Sequence, residues 1–353
     1  MQIQKAKATP IELTLQHPIR IANVDPITHI TAVFVRLETV EGRTAWGCAV
    51  AHPDLTGETP EHLLKTCQEV AHAVPDLHPT NLEYSLTRIE GIAKDSPGTL
   101  CAYDLVFHDM LGLAAGMPLY RLLGGYRTQV QTSATIPVAS VEESIERAKE
   151  RARRGFKMLK VKGGTDPDTD IQRMRAIKRA LPEHILWLDA DGGYTVEQAL
   201  DVARALKGKI SVLEQPTPPG DQDALARVTN NSPIPIFADQ SVCDPASALS
   251  LAANRAVGGM SIKMATCGGF RGARQIDAIA RAARLMTMVS CVIEPSLLIA
   301  AGLHFALSSP SVEYVDLDGH LELVHDPTAA GFELKDGCFT VRDVPGLGCT
   351  VDL

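Results

Sequence analysis

Three acids recur at a fixed interval in this chain. Leu186-Trp187-Leu188-Asp189, Ser211-Val212-Leu213-Glu214 and Ile236-Phe237-Ala238-Asp239 each end a β-rich apolar run in a carboxylate, and successive acids lie 25 residues apart. One strand-and-helix unit takes about that length, so the acids belong on adjacent parallel strands and converge at one rim. Crowded carboxylates repel, and a hard divalent cation resolves the repulsion. All-oxygen ligation without a neighbouring cysteine favours magnesium over zinc, one ion per subunit. Each acid alone also reads as the cap of its following helix, but capping does not require equal spacing of all three.

Lysines flank the acids. Lys160 and Lys162 in Leu159-Lys160-Val161-Lys162 lie two apart on a strand and point to the same side. Lys263 ends a later strand, across the acids from Lys162. Neighbouring ammonium groups are expected to depress one another's pKa and so supply a neutral lysine as base. A lone strand-end lysine is usually a solvated residue snorkelling at a rim; lysines on both sides of three acids suit other work. That work is removal of a proton from carbon beside a carboxylate, with a metal stabilising the ene-diolate. A second lysine on the opposite face can return the proton with inversion.

The elements that must position these groups follow from periodicity. From about Val130, short β-rich segments alternate with helix-like stretches, the pattern of βα units. Eight strands are predicted, at Val130–Val138, Met158–Lys162, Ile185–Asp189, Ile210–Glu214, Ile234–Asp239, Gly259–Lys263, Leu285–Cys291 and Val312–Asp316. Ser140 with Glu143 and Thr195 with Gln198 read as capping boxes. The fold class is therefore α/β, a (β/α)7β TIM-like barrel with its active site at the carboxyl ends of the strands. Residues 1–125 read as an α+β capping domain, with strands at Ile30–Leu37 and through Trp46 and a helix including Cys101–Leu113. Residues 126–320 form the barrel. Residues 321–353, with strand-like Gly331–Leu334 and Cys338–Val341, are expected to pack back on the capping domain.

Composition bounds the partners. Of 353 residues, 45% are apolar and 22% charged, as in a globular protein with a sizeable core, and a net charge of −8 disfavours nucleic acid. No apolar run is long enough for a membrane span and the N-terminus lacks a signal-peptide pattern, so a cytoplasmic location is expected. The eight cysteines contain no CxxC pair. Gly268-Gly269-Phe270-Arg271-Gly272 lacks dinucleotide-binding spacing.

Lys160-Val161-Lys162, Leu188-Asp189-Ala190, Glu214-Gln215-Pro216, Ala238-Asp239 and Ser261-Ile262-Lys263 followed by Gly268-Gly269, in that order, resemble the enolase superfamily, muconate-lactonizing subgroup, over nearly the whole chain. The resemblance implies that Asp189, Glu214 and Asp239 bind magnesium, that Lys162 and Lys263 are the acid/base pair, and that Lys160 tunes Lys162. Tyr314-Val315-Asp316-Leu317-Asp318-Gly319 is similar to the DxD motif of dipeptide epimerases, in which Asp316 and Asp318 would hold the substrate ammonium. The same run is also a good turn. Asp191 and Gln240 depart from the family's frequent Asn and Glu; one adds a charge near the metal and the other removes one.

Aligning Pro18–Asp25 with the early loop of the family places Val24 where members acting on Ala-Glu carry arginine. An acidic substrate side chain there would be buried without a partner. An apolar C-terminal residue is therefore expected in the dipeptide, against Val24 and, if they do more than pack the domains together, Ile19 and Ile21. Thr135 and Glu294 are further candidates for substrate contact. Association into a homo-oligomer is a further expectation of the resemblance. Muconate cycloisomerisation, o-succinylbenzoate synthesis, N-succinylamino acid racemisation or a non-catalytic binding barrel remain alternatives.

Overall fold

The computed structural model describes residues 1–22 and 24–353. An antiparallel sheet of β1 (Ile3–Ile19), β2 (Ile27–Thr39) and β3 (Thr44–Val50) opens the chain. β1 is long and escapes the sequence reading because its outward residues are mixed in polarity. The buried face of β2 and β3 packs on the helix Pro97–Ala115, which is apolar nearly all round and buried along most of its length.

The barrel strands are all parallel, β5 (Ser133–Ile136), β6 (Met158–Lys162), β7 (Ile185–Asp189), β8 (Val212–Glu214), β9 (Ile236–Ala238), β10 (Gly259–Lys263), β11 (Met286–Ser290) and β12 (Val312–Asp316), hydrogen-bonded in sequence order. The expected first strand, Val130–Val138, is in fact two. β4 (Gln129–Gln131) pairs with the C-terminal hairpin of β14 (Phe332–Lys335) and β15 (Cys338–Val341), and the barrel strand starts only at Ser133. Thr132 makes the switch: its N–H donates to Gly337 O at 2.9 Å, while its hydroxyl accepts from Leu317 N at 2.9 Å. Short β13 (Thr328–Ala329) pairs with β16 (Thr350–Val351). The C-terminal segment thus has a sheet partner beside the barrel. It also reaches the N-terminal half, where Val324 N donates to Thr14 O and Leu347 N to Asp109 Oδ1.

Two-residue periodicity layers the barrel interior. Met158, Trp187, Val212, Phe237, Met288 and Tyr314 form an apolar plug, with the Tyr314 ring edge-on to Trp187 and Phe237 at 5.7 and 5.8 Å. The next inward residues towards the carboxyl end are Lys160, Asp189, Glu214, Asp239, Ser290 and Asp316. Gly259 leaves room for the plug, since a Cβ there would meet the Phe237 ring at 2.5 Å. The two halves are joined by Asp104, whose carboxylate accepts from Phe270 N at 2.6 Å and Arg271 N at 3.2 Å. It caps the helix Phe270–Ala282, whose own N-cap, Gly269, has no side chain. The Thr195–Gln198 capping box is reciprocal, whereas Ser140 only accepts from Glu143 N.

Gly259→Ala is expected to lower stability by about 1–3 kcal/mol through overpacking, with Gly259→Ala/Phe237→Leu recovering part of the loss, both measured by denaturant unfolding. His304 is buried, accepts from Tyr120 N at 3.0 Å, and burial pushes its pKa down to about 4. Its folded-state pKa lies below its unfolded value, so its neutral form is the one the fold holds. Its contribution to stability is complete above about pH 6.5 and declines as pH falls towards 4. An NMR titration midpoint for His304 above 6 contradicts this.

Candidate functional site

The ladder registers put the charged groups at one level of the barrel mouth: Lys162 lies opposite Asp189, and Asp189 opposite Glu214. Asp189 and Glu214 are the last residues of β7 and β8, and Asp239 follows β9 directly. All three are buried, and each can offer an oxygen within 4.8 Å of the others. Neither Glu214 oxygen accepts a hydrogen bond, although Lys160 Nζ stands 3.1 Å from Oε2. A buried carboxylate with both oxygens free of hydrogen bonds suits a divalent cation, and so does the all-oxygen donor set.

Lys160 Nζ lies 2.9 Å from both Asp189 Oδ2 and Asp316 Oδ2. Lys162 Nζ donates to Asp189 Oδ2 at 2.8 Å and Asp191 Oδ1 at 2.9 Å, and Lys263 donates to Asp239. Strands β6 and β10 are four positions apart in a ring of eight, so Lys162 and Lys263 face one another across the mouth. Mutual depression of the lysines is outweighed for two of them, so the expected net lowering of their pKa does not follow. Burial pulls Lys162 down, but Asp189 and Asp191 outweigh it and Lys160, and its pKa rises. Lys160 likewise rises against burial, through Asp189, Asp316 and Glu214. Burial and Lys160 push Lys263 down, as burial and Asp189 push Glu214 up.

Of these groups, Lys160, Lys162, Asp191, Asp239 and Lys263 line a cavity of about 570 Å³. Asp316 and Asp318 both reach it, and both also close the barrel seam, where β5 and β12 share no ladder. Ser133 Oγ donates to Asp316 Oδ1; Thr135 donates to Asp318 through its N–H at 2.6 Å and its hydroxyl at 3.1 Å. Thr135 lines the cavity with its hydroxyl turned to Asp318. Asp316 already holds an ammonium, that of Lys160. Burial and Asp316 raise the Asp318 pKa. Glu294 does not line the cavity: it is buried, accepts from Val292 N at 3.4 Å, and burial pushes it up to about 8. Ile19, Ile21 and Val24 all line it, and Ile19 is at the same time a core residue.

Two residues escaped the sequence reading. His52 lines the cavity with Nδ1 buried and without a partner, and burial lowers its pKa. No pattern marks it, because it comes from the N-terminal half. Gln215, buried at φ 35°, accepts from Asp239 N at 2.9 Å and Ser241 N at 3.1 Å and donates to Thr217 O and Ser241 Oγ. It ties the end of β8 to that of β9. Its place between Glu214 and Pro216 was the available signal.

A barrel with three carboxylates between opposed lysines defines a class of protein, and sequence comparison agrees. Residues 143–353 match the family described as enolase C-terminal domain-like, and the chain belongs to the enolase superfamily. Its relatives are named as dipeptide epimerases. It is 32% identical to the L-Lys-D/L-Arg epimerase of Methylococcus capsulatus, with 99% of each chain covered, and 31% identical to the hydrophobic dipeptide epimerase of Enterococcus faecalis, with 95% of each covered. The solved dipeptide epimerase of Enterococcus faecalis, in complex with magnesium and L-Leu-L-Tyr, superposes with a TM-score of 0.96 at 30% identity, covering 99% of this chain and 100% of that one.

Gln215→Ala is expected to weaken divalent-cation binding roughly ten- to hundredfold, read by calorimetric titration with Mg2+; unchanged affinity contradicts a role in placing Asp239.

Proposed function

We propose that this protein is a magnesium-dependent dipeptide epimerase that inverts the α-carbon of an apolar C-terminal residue. The observation that carries the reading is the opposition of Lys162 and Lys263 across a carboxylate triad, inside a cavity whose N-terminal wall is apolar. Asp189, Glu214 and Asp239 would hold Mg2+. When bound there, it supplies positive charge for the substrate carboxylate, where negative charge builds up as the α-proton leaves.

The chain's own residues account for the rest. Lys162 and Lys263 hold and move the proton at Nζ, one on each face of the α-carbon, so that removal by one and return by the other inverts configuration. Lys160, ringed by Asp189, Glu214 and Asp316, adds positive charge at the base of the site. Asp318, whose carboxylate is oriented by Thr135, accepts the substrate's ammonium, with Asp316 beside it. The racemisation of N-acylated amino acids offers no ammonium for this pair.

Ile19, Ile21, Ala22, Val24, Ile27 and Leu55 supply apolar wall. Among the described residues, the lining of the N-terminal half includes no lysine or arginine, and Asp54 lies in it. A glutamyl side chain there would be desolvated without a counter-charge.

The test is a library of L,L-dipeptides incubated in deuterium oxide with Mg2+, with α-deuterium uptake read by mass spectrometry. Uptake is expected at C-terminal Phe, Tyr, Leu or Val. Preference for Ala-Glu or for a C-terminal lysine sinks the apolar assignment, and exchange only of N-acylated substrates sinks the dipeptide reading.

A further inference from the structure

Asp191 lies outside the acid triad, two residues beyond β7, at φ 45° in the left-handed region where aspartate is one of the few tolerated residues. Its side chain is only 7% exposed. Its Oδ1 accepts twice, from Lys162 Nζ at 2.9 Å and from Gln240 Nε2 at 3.0 Å. Lys162 has one other carboxylate partner, Asp189. Asp189 is a triad member, so its charge is shared with any cation held there. Asp191 is the carboxylate left to Lys162 alone.

Gln240 follows Asp239 directly and meets Asp191 from two strands along the rim. A glutamate at 240 would set two buried carboxylates in contact, which repel strongly. An amide there donates instead. The residue types at 191 and 240 therefore depend on each other: the pair needs one carboxylate and one amide, and the position of the carboxylate decides whether its charge falls beside Lys162 or beside Asp239. The family's frequent Asn and Glu at these places hold the same two chemistries in the opposite order. The departures at 191 and 240, read from sequence as separate changes of charge, are a single displacement of one charge across a hydrogen bond.

We propose that Asp191 and Gln240 form one positioning unit, in which the Gln240 amide orients Asp191 and Asp191 fixes the Lys162 ammonium on its face of the substrate α-carbon. The inference rests on the reading of Lys162 as one of two acid/base groups. It places Asp191 and Gln240 as positioning residues, acting through Lys162.

The experiment uses the full chain with saturating Mg2+ and the best dipeptide of the library, in both configurations at the α-carbon. If the wild type exchanges neither configuration, the epimerase reading fails, and this inference with it. Where the wild type exchanges both, Asp191→Asn is expected to slow turnover roughly ten- to hundredfold. The primary isotope effect with α-deuterated substrate should rise for the one configuration whose proton Lys162 removes and stay unchanged for the other. Gln240→Glu should lose activity comparably, and Asp191→Asn/Gln240→Glu should recover most of it, because the double change restores one carboxylate and one amide. An equal isotope response in both configurations, or a double-variant loss equal to the product of the single losses, overturns the proposal. So does a fall in Mg2+ affinity, by calorimetry, that matches the fall in turnover. Should a single variant not fold, the double variant decides alone: a folded, active protein supports the pairing, and an unfolded or inactive one overturns it.

Discussion

Everything at the barrel mouth depends on packing carboxylates against ammonium groups where water is scarce. Asp189, Asp191, Glu214, Asp239, Asp316 and Asp318 meet Lys160, Lys162 and Lys263, with the side chains buried or nearly so. Such groups cost several kcal/mol each to desolvate unless paired. Here every ammonium has a carboxylate partner, Glu214 and one oxygen of Asp191 are left without hydrogen bonds, and the acids outnumber the bases. The surplus has the sign that a divalent cation and a substrate ammonium offset. The same surplus raises the pKa of Lys160 and Lys162 against burial: each faces more than one carboxylate. On the proposed reading, a cation held by Asp189 and Glu214 would withdraw part of that counter-charge, so that metal binding and base activation would be coupled through shared oxygens.

Charges that repel stay in place only on a stiff support. Beneath the rim, the Trp187, Phe237 and Tyr314 rings fill the barrel, and Gly259 gives them room. At the rim, Gln215 spends a left-handed backbone conformation, costly outside glycine, to bind the ends of β8 and β9 together. At the seam, Ser133 and Thr135 fasten Asp316 and Asp318 where no strand ladder runs. The aspartates at the end of β12 therefore fasten the seam while lining the cavity. The turn and the ammonium-holding motif that the run Asp-Leu-Asp-Gly suggests are compatible readings.

The triad was legible in the sequence because it obeys two periods at once, the two-residue alternation of a strand and the 25-residue recurrence of a βα unit, and the lysines because they stand on the strands that flank it. Groups that obey neither were not. β1 lacks clean alternation, so it passed unnoticed. Val130–Val138 looked like one strand, since a change of sheet at Thr132 leaves no mark on hydrophobicity. Glu294 lies four residues beyond β11, unlike the triad acids, and its carboxylate turns back to Val292 N. His52 approaches from the other half of the chain, and only tertiary structure brings it to the cavity. The direction of the lysine shifts was also out of reach, because it depends on how many carboxylates each ammonium touches.

The division of labour between the two halves follows from these constraints. Chemistry requires fixed distances, and parallel strands in register supply them, so the barrel residues tolerate little change. Selectivity requires a wall of adjustable size and charge. The turn after β1 and the short helix Pro53–Thr56 offer side chains that carry no barrel strand with them. On the proposed reading, a substitution at Val24 or Asp54 would alter what the wall accepts without moving Lys162 or Lys263. Relatives near 30% identity are named for L-Lys-D/L-Arg and for hydrophobic dipeptides alike. The division between the halves also makes Asp191 and Gln240 the more informative departures: they lie on the barrel side, where a change of charge survives only if a second change answers it.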